Sequence, residues 1–133
     1  MNILFVCKYN RFRSKVAEAF FNKYNKNKLN FAKSAGLIKG SYPLDSLQVK
    51  VADEIGIKLK GNPQGLSTEL LKWSDLYVIV ADDVPSDIFK AEEYGKKIEK
   101  WNIKDVEFDD ENENKSIILQ IENKIKDFIR SNN

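Results

Sequence analysis

The sequence predicts an α/β fold, a three-layer sandwich in which four parallel strands lie between helices. Three observations carry this expectation. Ile3 to Val6 and Leu76 to Ala81 are short and wholly apolar, as strands buried on both faces are. Several longer stretches place apolar residues at helical spacing. Strand-like and helix-like segments alternate in the order βαβαβαβα, the order of a parallel sheet covered on both faces by crossover helices.

The elements follow in turn. Ile3 to Val6 is the first strand, and Ser14 to Tyr24 is the first helix through Val16, Ala17, Phe20, Phe21 and Tyr24. Leu29 to Ser34 alternates as a second strand, and Gly36 and Gly40 mark the loop after it. Pro43 to Ile55 carries Leu44, Leu47, Val51, Ala52 and Ile55 on one face, with Gly56 as its stop. A turn cluster of Gly61, Pro63 and Gly65 precedes a short helix capped by Ser67. Leu76 to Ala81 is the central strand, Pro85 to Tyr94 a helix with proline in its first turn, and Lys97 to Trp101 the fourth strand. Residues 105 to 113 form an acidic loop, and Ser116 to Ile129 closes the chain as an amphipathic helix.

At 133 residues the chain is expected to be a single domain, residues 1 to 133. The 22 basic and 20 acidic residues leave a net charge of +2, too even to indicate nucleic acid or an anionic membrane. The apolar run after Met1 and Asn2 is too short for a signal core or a membrane span. One cysteine permits no intramolecular disulfide, which fits a reducing cytoplasm. The absence of histidine removes Ser/His and Cys/His relays and the usual zinc ligands, so no metal site is expected.

The loop after the first strand concentrates the chemistry. Ligands of parallel sheets bind outside the carboxyl ends of strands, where Cys7 falls. If residues 8 to 13 wrap so that their N–H groups converge, with a helix N-terminus pointing inward, the loop is an anion cradle of phosphate size. That field favours the thiolate of Cys7, which is the nucleophilic form. Arg13 has the planar fork that grips two oxygens of a phosphoryl group. Ser14 can donate to the sulfur, and Asn10 can hold a strained loop because asparagine tolerates left-handed backbone. Taken singly, each residue has a plainer reading: Cys7 as a small buried hydrophobe, Arg11 and Arg13 as surface charges, Ser14 as a helix cap. The combination is what points to a site.

Cys7-Lys8-Tyr9-Asn10-Arg11-Phe12-Arg13-Ser14 fits Cys-x5-Arg-Ser, and its place after the first strand resembles the low-molecular-weight protein tyrosine phosphatases and the related thioredoxin-coupled arsenate reductases. Ser34-Ala35-Gly36, "LDSLQVKVADEIGIKL" and "SDLYVIVAD" resemble further parts of that family, so the likeness runs over nearly the whole chain. It implies a four-stranded parallel sheet with a phosphate-binding loop formed by Lys8, Tyr9, Asn10, Arg11, Phe12, Arg13 and Ser14, supported by Asn10, Ser14 and Ser34. It also implies that Cys7 attacks phosphorus, that Arg13 and loop amides stabilise the oxygens, and that a late carboxylate protonates the leaving group and then activates water. In "WNIKDVEF" that carboxylate is Asp105, with Asp109 and Asp110 as the alternatives. The opposite protonation states of thiol and acid imply an optimum at mildly acidic pH. No cofactor or metal is implied.

The chain departs from the family pattern at three positions. Tyr9 stands where glycine is usual, which removes glycine's backbone freedom; Phe12 replaces a second loop cysteine; Val106 replaces the proline after the acid. Tyr9 and Tyr42 are candidates for an aromatic entrance, and Asp82 and Asp83 are either site-flanking or merely solvated. The partner expected is a phosphorylated protein or a small aryl phosphate, acted on by a cytoplasmic monomer with no nucleic acid and no membrane. Two other readings remain: a non-catalytic phosphate or phosphotyrosine-binding module, supported by Tyr9 and Val106, and an arsenate reductase that borrows an external thiol.

Overall fold

The computed structural model describes residues 1–39, 42–106 and 110–132. Four parallel strands, β1 (Asn2–Cys7), β2 (Phe31–Gly36), β3 (Leu76–Val80) and β4 (Lys97–Trp101), form one sheet in the order β2-β1-β3-β4. Among the described residues four α-helices accompany the sheet: α1 (Arg13–Tyr24) between β1 and β2, α2 (Ser46–Ile55) and α3 (Thr68–Trp73) between β2 and β3, and α4 (Glu111–Ser131) after β4.

Alternation along the strands divides the core in two. Ile3 and Phe5 of β1, Val78 and Val80 of β3, and Trp101 of β4 pack against α1, α2 and α4. Leu4 and Val6, with Tyr77 and Ile79, face the opposite way onto Leu70 of α3 and onto Phe89. Both faces of the two central strands are therefore buried, which is why β1 and β3 are apolar without interruption. Phe5 sits at the centre of the first layer, with ring centroids of Phe21, Trp101 and Phe128 at 6.0 to 6.3 Å.

Several boundaries differ from the sequence expectation for identifiable reasons. β2 is an edge strand, and only its last three residues, Ser34, Ala35 and Gly36, are buried; Leu29 is 76% exposed. The alternation at 29 to 33 thus marks a solvated edge, and the register with β1 carries the strand on to Gly36 opposite Cys7. α2 begins at Ser46 because Asp45 accepts from the N–H of Gln48 and caps the first turn. It ends as expected at Gly56, whose φ of 106° makes a left-handed cap.

Pro85 to Tyr94 does not form an α-helix. It holds a 3₁₀ turn, Asp87–Phe89, and Lys90 at φ 47° ends it. Its buried anchors, Phe89 and Ala91, are two residues apart, so no helical stripe exists for the core to hold. α4 starts at Glu111, five residues before the expected Ser116, because Asp110 caps it and Glu111 and Glu113 complement the positive end of the helix. Acidic residues 111 and 113, expected in a loop, are the first turn of a helix.

Chain order places the site. From β1 the chain goes to β2 on one side, and later to β3 on the other, so the carboxyl end of β1 lies at the point where loops diverge.

Candidate active site

Cys7 ends β1 and is 3% exposed. Its Sγ lies 3.0 Å from Ser14 Oγ, a contact in which either atom can donate. Ser14 is not the helix cap: α1 begins one residue earlier, Phe12 occupies the cap position with no side-chain bond, and the serine hydroxyl is turned toward the sulfur. The first turn of α1 contains no acidic residue, so no side chain of that turn offsets the positive end of the helix.

Asn10 organises the loop. It is fully buried and takes φ 56°, the left-handed conformation that asparagine tolerates. Its Nδ2 donates to Ser14 Oγ at 2.8 Å and to Ser34 Oγ at 3.0 Å, and its Oδ1 accepts the N–H of Gln64 at 3.0 Å. Ser34 in turn donates to Glu18 at 2.7 Å, and Gln64 donates to the Ser34 carbonyl at 2.8 Å. Tyr9, expected to strain the loop for want of glycine, has no positive φ; that demand falls on Asn10. The glycine the loop does require is Gly36 of β2. A Cβ there would stand 2.6 Å from the carbonyl carbon of Tyr9 and 2.8 Å from the nitrogen of Asn10. Leu37 and Ile38 then donate main-chain N–H groups to the carbonyls of Cys7 and Lys8, which fastens the loop to the segment after β2.

Arg13 is 3% exposed and reaches three loops. Nη1 donates to the carbonyl of Ile103 at 2.9 Å, and Nη2 donates to Asp83 at 3.0 Å. Asp82 lies 3.6 Å and Asp105 3.9 Å from its terminal nitrogens. Asp82 and Asp83, which the sequence left undecided, are thus the arginine's partners from the loop after β3. Asp105, expected as the acid, borders the same cavity as Cys7, while its Oδ1 accepts the N–H of Val106. Of its alternatives, Asp110 uses its carboxylate to cap α4, and Asp109 lies outside the described residues.

The remaining loop side chains diverge. Phe12 is buried in the core under α1. Lys8 lies over the ring of Tyr9, and Arg11 lies over Tyr42 while its Nε donates to the carbonyl of Pro43 at 2.9 Å. Tyr9, Arg11 and Tyr42 border a cavity of about 370 Å³ whose floor includes Cys7 and Arg13. Gln48 of α2 also borders it; no sequence signal marked Gln48, Gln64 or Glu18, since each acts through a partner far along the chain. Among the described residues, no group of three His, Cys, Asp or Glu side chains is arranged to hold a metal ion, and no helix is long and apolar enough to cross a membrane.

Comparison with known proteins gives a consistent likeness. The family model described as low molecular weight phosphotyrosine protein phosphatase matches residues 2–132. A low molecular weight protein tyrosine phosphatase from T. tengcongensis superposes with a TM-score of 0.83 at 28% identity, covering 98% of this chain and 99% of its own. An arsenate reductase from Archaeoglobus fulgidus is also 28% identical, with a TM-score of 0.74 over 96% of this chain and 98% of that one. The YwlE arginine phosphatase from Geobacillus stearothermophilus, at 20% identity, shares the fold with a TM-score of 0.81 over 98% and 91% of the two chains.

Proposed function

The chain belongs to the low molecular weight phosphotyrosine protein phosphatase family, and we propose that it hydrolyses phosphotyrosine-type phosphomonoesters through a phosphocysteine at Cys7. The observation that carries this reading is the meeting of Cys7, Arg13 and Asp105 around one cavity, with Ser14 Oγ 3.0 Å from the sulfur. Cys7 Sγ attacks phosphorus, the S–P bond forms, and the bond to the leaving oxygen breaks as Asp105 gives that oxygen its proton. Arg13 and the N–H groups of residues 8 to 14 stabilise the equatorial oxygens, for which Arg13 turns part of its fork from Asp83 to the phosphoryl group. Water then attacks the phosphocysteine, its proton passes to Asp105, and the S–P bond breaks to return the thiolate, which the Ser14 hydroxyl receives as a hydrogen-bond donor. No step calls on a metal.

The substrate is a phosphorylated protein or a small aryl phosphate, whose ring the Tyr9 and Tyr42 side of the entrance suits. The reading also holds that residues 1–133 act as a single-domain monomer in the cytoplasm, where the lone Cys7 meets no disulfide partner within the chain.

The test is release of p-nitrophenol from p-nitrophenyl phosphate across pH without added metal, for the intact protein beside Cys7→Ser. Turnover with a bell-shaped pH profile that vanishes in Cys7→Ser is the expected result. Folded protein that binds phosphate yet shows no Cys7-dependent release makes it a binding module instead.

A further inference from the structure

A buried pair of amides joins α2 to α4. Gln48, 3% exposed, donates from Nε2 to Oδ1 of Asn114, fully buried, at 3.0 Å. Asn114 donates from Nδ2 to the main-chain carbonyl of Asp110 at 2.9 Å. A carbonyl only accepts, so Asn114 must turn its NH₂ to Asp110 and its oxygen to Gln48, and Gln48 must answer with its own NH₂. The backbone of Asp110 thereby sets the direction of both amides.

Asp110 is the point at which the segment bearing Asp105 ends and α4 begins. The segment's other root is Ile103, whose side chain is buried and whose carbonyl accepts from the N–H of Asp82 at 3.0 Å and from Arg13 at 2.9 Å. One root is fastened to the sheet and the site arginine, the other to α2, whose Gln48 borders the cavity. Apolar side chains of similar size would fill the space between α2 and α4 without the cost of desolvating two amides. What the amides add is a fixed direction and distance.

We propose that Gln48 and Asn114 are positioning residues for the catalytic acid: they hold the far root of the Asp105 segment against α2, and so keep the carboxyl within reach of the leaving oxygen. The inference rests on the reading of Asp105 given above. Its signature is selective. A well-placed acid neutralises the departing oxygen, so its loss hurts a basic leaving group more than a weakly basic one. General weakening of the fold slows both alike.

The experiment compares kcat/KM, which reports the step that expels the leaving group, for phenyl phosphate with that for p-nitrophenyl phosphate in the intact protein, Gln48→Leu, Asn114→Leu, the double variant and Asp105→Asn, with thermal unfolding of each. Each single Leu variant strands one amide, whereas the double removes both partners and is expected to unfold at a higher temperature than either. The expected result is that the phenyl to p-nitrophenyl ratio falls about tenfold in the double variant, part of the general-acid contribution, toward the ratio of Asp105→Asn. A double variant that keeps the intact protein's ratio while Asp105→Asn lowers it overturns the proposal and leaves the acid in place. If Asp105→Asn also keeps the ratio, Asp105 is not the acid and both inferences fall together.

Discussion

Asn10 combines a backbone conformation and a side-chain role that no other residue type supplies together. Glycine meets the φ of 56° but loses the three bonds to Ser14, Ser34 and Gln64; alanine loses the bonds and is strained as well. Asn10→Gly is therefore expected to cost about 1–3 kcal/mol, the range for leaving buried partners unsatisfied, with Asn10→Ala costing more; urea unfolding measures both. Gly36 imposes a different constraint, closeness. A methyl group there would overlap the backbone of Tyr9 and Asn10, which cannot swing aside as a side-chain tip can. Gly36→Ala is expected to lower kcat/KM by on the order of 10²-fold through displacement of the loop, with the protein still folded by circular dichroism. The sequence made the loop's composition and spacing legible, because Cys7 to Ser14 is contiguous. It also marked Asn10 as the residue able to take left-handed backbone, as the φ of 56° bears out, but the strain expected at Tyr9 is not there. It did not disclose that Gln64 and Glu18 complete the network, since those partners lie 54 residues from Asn10 and 16 residues from Ser34 along the chain.

At the scale of elements, legibility followed burial. β1 and β3 announce themselves because both faces are covered, and α4 announces its body through Ile117, Ile118, Ile121, Ile125 and Phe128. The start of α4 was hidden because its first turn is held by the Asp110 cap and by charge, neither of which has a hydrophobic period. The segment after β3 misled for the opposite reason, as its apolar residues suggest a stripe that the fold does not use. Between elements, Tyr24 of α1 donates to Glu122 of α4 at 2.5 Å. That bond, then burial, then the carboxylate's charge raise the tyrosine above its ordinary pKa of 10.0. A raised value means the folded protein keeps this proton where the unfolded chain releases it. The stabilisation is full below about pH 10 and is lost as pH rises through the raised value. Burial raises Tyr77 as well, in the same direction. Tyr24→Phe should thus lower the melting temperature at pH 8 and lessen its decline between pH 9 and 11, a comparison that thermal melts across pH make directly.

The whole molecule converges on Arg13. It opens α1 beside the loop after β1, bonds Asp83 after β3, and bonds Ile103 after β4, so one guanidinium links the carboxyl ends of three strands. This could not be read from the sequence, where those partners stand 70 and 90 residues away. The arrangement is also a contest. Asp82, Asp83 and Asp105 lie within 4.0 Å of its terminal nitrogens, and an arriving oxyanion must share the fork with them. An anion that succeeds replaces local carboxylate contacts with a ligand bound only by the folded state, and mass action then stabilises the entire fold. Inorganic phosphate at a hundred times its Kd is expected to add about 2.7 kcal/mol, which for a chain of this length raises the melting temperature by on the order of 10 °C. Arg13→Ala removes the fork and should abolish that rise, whereas chloride at equal ionic strength should produce none in either protein. A phosphate-dependent rise that survives in Arg13→Ala would move the oxyanion site away from this loop.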